Sequence, residues 1–126
     1  MSKAPDRITQ HRKSAELEFQ FGAEHYRLSA EFLRVHSPSA EVKGHGPGQA
    51  VLQTGKQDVN IKRIEAVGNY AIKLVFDDGH DTGIYTWAQL YDFCQHHDRY
   101  WQDYLEALKK AGASRLPDDV QVIKLM

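Results

Sequence analysis

The stretch from Asp58 to Trp87, DVNIKRIEAVGNYAIKLVFDDGHDTGIYTW, constrains the fold of this chain more than any other. It reads as three short strands running directly into a helix, with His80 held at a tight turn. Tyr70, Ile72, Leu74 and Phe76 alternate with Ala71, Lys73 and Val75, the period-2 pattern of a half-buried strand. Asp77-Asp78-Gly79-His80 supplies the turn, since Gly79 tolerates positive φ and aspartates bond their own backbone. Thr82, Ile84 and Thr86 against Gly83, Tyr85 and Trp87 form the return strand.

The segment before this block is predicted to hold a hairpin and short helical turns. Leu17, Phe19 and Phe21 alternate with Glu16, Glu18 and Gln20, a strand with one wet face. Gly22-Ala23 turns it back into Glu24–Leu28. Ser29 is placed to cap a helical piece over Ala30–His36. Ser37-Pro38 reads as a second helix start, because proline is tolerated at the first helical position, and Gly44 ends that turn. Glycines and Pro47 then make His45–Gln57 the long loop of the chain. Met1–Ser14, polar and without periodicity, is expected to be a flexible arm.

After the strands, Thr86 is placed to cap a helix with Trp87, Leu90, Tyr91 and Cys94 at i, i+3, i+4 and i+7. Asp98 is expected to cap its continuation, where Tyr100, Trp101, Tyr104, Leu105 and Leu108 share a stripe. Lys109 and Lys110 suit the C-terminal end of the helix dipole, and Gly112 stops the helix. Trp87, Tyr91, Trp101 and Tyr104 read first as the face packed on the sheet. The prediction is therefore an α+β domain over 15–112: a small, mostly antiparallel sheet, short helical turns, and a C-terminal helix packed on one face. Residues 1–14 form the arm and 113–126 a tail, whose end, VQVIKLM, alternates weakly.

Bulk properties exclude several functions. The 126 residues suit one domain. Sixteen Lys and Arg against 17 Asp and Glu leave a net charge of −1, which gives no reason to expect nucleic-acid binding or an acidic membrane surface. No apolar run approaches the roughly 18 residues of a membrane span. The N-terminus lacks the apolar segment of a secretory signal, so the expected compartment is the cytoplasm. Cys94 is the one cysteine, which excludes an internal disulfide, and its place on an apolar helical stripe predicts an inert buried thiol. No Gly-x-Ser-x-Gly elbow and no phosphate-binding loop occur. His96-His97-Asp98 has the His-x-Asp spacing of a non-haem iron site, but no histidine follows to complete it. His11 and His25 read as surface residues, while His36, His45 and His80 flank the helical turn, the glycine loop and the hairpin.

Three runs together carry a resemblance: Phe32–Val42 (FLRVHSPSAEV), Gly44-His45-Gly46, and Asp58–Trp87. They resemble the gamma-butyrobetaine hydroxylase-like N-terminal domain family, and its bacterial stand-alone members in particular. In the hydroxylases this domain precedes an Fe(II)- and 2-oxoglutarate-dependent jelly-roll domain of about eight strands. That catalytic half is not expected here, and the chain is read as no enzyme. The resemblance also implies a vestigial metal site. Eukaryotic relatives carry Cys-x-Cys-x-x-Cys with a distant histidine; those positions fall here on Ser37, Ser39, Val42 and His80. Only His80 matches, so a tetrahedral zinc site of that form is not expected. A rebuilt zinc or other divalent-metal site from His80 with His45 or Glu41 is the alternative. Related domains also occur beside iron–sulfur carrier proteins. The resemblance thus implies a non-catalytic accessory module with no cofactor, acting through a protein partner and linked to iron–sulfur or oxygenase systems. The alternative is a small metal- or ligand-binding protein with its site near His45 and His80.

Overall fold

The computed structural model describes residues 3–117. Six strands and four helices follow in the order β1 (Arg7–His11), β2 (Glu16–Phe21), β3 (Glu24–Ser29), α1 (Ala30–Val35), α2 (Ala40–Lys43), β4 (Ile61–Val67), β5 (Ala71–Phe76), β6 (Gly83–Thr86), α3 (Trp87–Gln95) and α4 (His97–Ala111). The class is α+β, as expected. The strands, however, divide into two antiparallel three-stranded sheets, β1-β2-β3 and β4-β5-β6. No described helix is long and apolar enough to cross a membrane.

Both sheets feed one core. Leu17, Phe19 and Leu28 come from the first, and Ile61, Ile72, Leu74, Phe76 and Tyr85 from the second. Phe32 and Leu33 of α1, and Leu90 and Phe93 of α3, pack between them. The period-2 reading of β2 holds: Leu17 and Phe19 are buried, while Glu18 on the opposite face meets His11 and His25. β5 departs from simple alternation. Ala71 and Val75 are buried as well as Ile72, Leu74 and Phe76, because β5 is the central strand of its sheet. Tyr70 lies before the strand and is exposed.

Four expectations need correction. The N-terminal arm is not free along its length: Arg7–His11 pairs with β2 from Arg7↔Gln20 to His11↔Glu16. Its edge position leaves most of its side chains half-buried, so polar sequence there coexists with a full ladder. The second helical turn begins two residues later than Pro38 implies, at Ala40. Ser39 is its N-cap, with the hydroxyl accepting from the Glu41 amide. Asp98 does not cap α4; the cap position is His96, without a side-chain bond, and Asp98 sits in the first turn where its charge suits the dipole. On α3 the buried positions are Leu90, Phe93 and Cys94, while Tyr91 faces outward. Ser29 and Thr86 do cap α1 and α3, through bonds from the Phe32 and Gln89 amides. Gly112 closes α4 at φ +63°.

The start of the tail is also docked. The Ser114 and Arg115 carbonyls accept from the Gly55 and Gln57 amides, both at 2.9 Å. Arg115 grips Glu31 through two bonds of 2.7 and 2.8 Å. This pins the later part of the long loop against α1 and α4. The alternating VQVIKLM stretch lies outside the described residues.

Candidate functional site

The β5–β6 turn and the segment after α1 meet in a buried polar knot. The turn fixes His80 first. Gly79 adopts φ +93°, its amide donates to the Phe76 carbonyl, and the Phe76 amide donates to the His80 carbonyl at 2.9 Å. The His80 amide donates to Asp78 Oδ1 at 3.1 Å. With its backbone held on both sides, the imidazole points inward and is 5% exposed.

Both ring nitrogens are then engaged. Nε2 lies 2.8 Å from Ser37 Oγ, and Nδ1 lies 3.2 Å from Glu41 Oε2. Glu41 can only accept when ionised, so Nδ1 carries the proton and Nε2 accepts from the Ser37 hydroxyl. Thr82 extends the knot: its hydroxyl lies 2.7 Å from Ser39 Oγ and donates to Glu41 Oε1 at 3.2 Å. Gly83 makes this approach possible. A Cβ there would stand 2.5 Å from Ser37 Oγ, closer than any relaxed contact. Among the described residues no buried side-chain nitrogen or oxygen lacks a partner, so the knot is saturated.

A charged layer covers it. Arg34 Nε donates to Asp78 Oδ2 at 2.9 Å and Lys56 Nζ to the same oxygen at 2.7 Å. Burial raises the Asp78 carboxyl, but Lys56, the His80 amide and Arg34 together outweigh it and hold the group below its ordinary value. His80 is lowered from 6.5, first by burial and then by the Arg34 charge, against the opposing pull of Glu41 and Asp78. The ring is therefore neutral at pH 7.

Of the residues singled out in the sequence, the fold brings together Ser37, Ser39, Glu41 and His80. Val42 is buried as an apolar neighbour. His45 stands apart: it is exposed and its side chain makes no hydrogen bond among the described residues. Among those residues no group of three or more His, Cys, Asp or Glu is arranged to hold a metal ion. Thr82, Arg34 and Asp78 escaped the sequence reading. Asp78 carried a turn signal, whereas Thr82 and Arg34 reach their partners across about 40 residues and left no local trace. His36 is structural too. Its Nδ1 donates to the Phe32 carbonyl at 2.8 Å, and its ring lies among Phe32, Phe93, Tyr100 and Tyr104.

The linkage Ser37 Oγ–His80 Nε2, His80 Nδ1–Glu41 has the connectivity of a hydrolytic triad. Its nucleophile, however, has no exposed surface, and Gly83 and Tyr85 press against its hydroxyl. An acyl carbon cannot reach Oγ without the β5–β6 turn first parting from Ser37. The arrangement works as a clasp between the α1–α2 segment and the second sheet.

Comparison with known proteins bears on the family and the fold. The family model described as gamma-butyrobetaine hydroxylase-like, N-terminal, matches residues 8–91. A protein solved by solution NMR is 49% identical, with a TM-score of 0.83, over 100% of this chain and 99% of its own. A second NMR structure is 48% identical, with a TM-score of 0.77, over 98% of this chain and 92% of its own. A crystal structure from Acidithiobacillus ferrooxidans ATCC 23270, of unknown function and in the DUF971 family, is 36% identical. It matches 68% of this chain and 86% of its own, with a TM-score of 0.56. No curated protein matches.

Proposed function

The chain belongs to the gamma-butyrobetaine hydroxylase-like N-terminal family, and from that premise we propose that it is a non-catalytic binding module, acting in the cytoplasm through a protein partner. One observation carries the reading. The buried His80, the residue best suited to chemistry, spends both ring nitrogens on Ser37 and Glu41. A metal ligand needs a free nitrogen lone pair, and a general base needs access to a substrate proton; His80 has neither while the clasp is closed. A structure whose polar centre is satisfied internally offers its surface for recognition. The resemblance to domains found beside iron–sulfur carriers and oxygenases suggests partners of those systems.

Photo-crosslinking in the native host tests this. A photoreactive residue is placed in turn at exposed sites such as Tyr70, Ile84 and Tyr91. The expected result is a discrete adduct with one protein, formed from one face only. Recovery of uncoupled chain from every position, together with fluorophosphonate labelling of Ser37 that His80→Ala abolishes, would replace the reading with a hydrolase.

A further inference from the structure

At the turn of the β2–β3 hairpin, a cavity of about 530 Å³ opens against α3. Asp6, Phe21, Glu24 and Tyr91 line it, together with Lys3. None of these residues belongs to the Ser37–His80 clasp. Three rings gather here edge to face: Phe21 and Tyr91 with centroids 5.0 Å apart at 74°, and Tyr26 at 6.4 Å from each. Each edge-to-face contact sets the edge of one ring against one face of its partner, so a ring covered on one face keeps the opposite face for another group. Tyr91 is 36% exposed although it falls on the helical stripe that the sequence assigns to the core. An exposed tyrosine beside a cavity is the residue type that recognition surfaces favour.

The carboxylates are set before any ligand arrives. Tyr26 donates to Glu24 Oε2 at 2.8 Å and Tyr91 to Oε1 at 3.2 Å, so each Glu24 oxygen is fixed yet keeps a second lone pair. Gln95 Nε2 donates to Tyr26 Oη at 2.6 Å and anchors that ring. The bond to Glu24, aided by burial, pushes the Tyr26 phenol up to about 12, so it remains a donor at neutral pH. On the other side of the turn, Asp6 Oδ2 accepts from the Gly22 amide at 2.7 Å and its second oxygen has no partner among the described residues. Two ordered carboxylates and two aromatic walls make a pocket complementary to a flat, weakly hydrated cation. Lys3 lines the cavity without an ion pair to either carboxylate among the described residues.

We propose that this pocket receives the guanidinium of an arginine side chain from the partner protein, with its charge against Asp6 and Glu24 and its plane against Phe21 or Tyr91. The proposal rests on the reading of the chain as a binding module and names the chemistry of the partner's anchor. Guanidinium is favoured over a compact ammonium because its plane stacks on an aromatic ring while its N–H groups meet carboxylate oxygens.

The test is an NMR titration of the whole chain with three probes: N-acetyl-arginine amide, its neutral isostere N-acetyl-citrulline amide, and butylamine. The arginine probe is expected to shift Asp6, Glu24 and Tyr91 saturably and to bind about three-fold or more tighter than citrulline. Glu24→Gln and Tyr91→Leu should each weaken it by a similar factor, with core amide signals of Leu17 and Phe19 confirming the fold. Lys3→Ala, which removes a like charge, should strengthen it. Equal binding of citrulline, shifts confined to other residues, or butylamine binding more tightly than the arginine probe would each overturn the assignment. The read-out uses the isolated chain, so it is separable from the crosslinking result.

Discussion

Truncating Phe76 to alanine is expected to cost about 3–5 kcal/mol, and Leu74→Ala about 2–5 kcal/mol, in urea unfolding of the intact chain. Both side chains are essentially inaccessible, at 1% and 0% exposure, and both sit in the core where the two sheets meet. Removing either forfeits the burial of its apolar surface and leaves a void that a close-packed interior fills poorly. Lys73, the neighbour of Leu74 in β5, is the control. Its stem is half-buried and its amine pairs with the partly exposed Glu65 at 3.3 Å. Lys73→Ala should therefore cost only about 0.5 kcal/mol, the scale of a surface ion pair. Similar effects at Lys73 and Leu74 would mean that the register of β5 is wrong.

His80→Ala should also destabilise strongly, by about 2–4 kcal/mol. It strips the partner from the buried Ser37 hydroxyl, a loss of about 1–3 kcal/mol, and adds a cavity beside Phe76. Ser37→Ala and His80→Ala remove one shared interaction, so the double variant should lose about 0.5–3 kcal/mol less than the sum of the two singles. Strict additivity would show that the clasp contributes nothing as a pair. The clasp also sets a pH dependence. The folded-state value of His80 lies below the unfolded 6.5, so the unfolded chain binds more protons in that window. Stability contributed by the neutral ring is present above pH 6.5 and lost as the pH falls through and below it. His36, lowered chiefly by burial, acts in the same direction. Melting temperature should thus fall between pH 7.5 and 5.5, and fall less steeply in His80→Ala.

The parts of this architecture written locally were legible in the sequence. The Ser29 and Thr86 caps, the Gly22-Ala23 turn, the glycine-rich loop and the Gly112 stop each depend on one or two residues with a specific backbone or hydrogen-bonding property. β1 was not legible, because an edge strand with half-buried side chains is held by backbone bonds that impose no apolar period. The division into two sheets was equally hidden, since periodicity describes a strand but not its neighbour. Tyr91 shows the limit of the helical stripe: one position in four at core spacing turned outward onto Phe21 and Tyr26, while Phe93, off that stripe, packs against Phe32. The meeting of Ser37 with His80, 43 residues apart, followed from the family resemblance and not from spacing. Glu41, in the sequence an alternative candidate ligand beside His80, lies 3.2 Å from His80 Nδ1; His45 lies outside the knot.

The ¹⁵N spectrum of the His80 imidazole, recorded at pH 7 with and without micromolar zinc, tests the closed clasp most directly. The two ring nitrogens of a neutral imidazole resonate far apart, so the spectrum reports both tautomer and ligation. The expected spectrum shows a protonated Nδ1 held by Glu41, an Nε2 accepting from Ser37, and no change on adding zinc. A saturable one-to-one shift of the His80 nitrogens with zinc, accompanied by Glu41 or His45, would contradict it and establish a metal site in the place of the clasp.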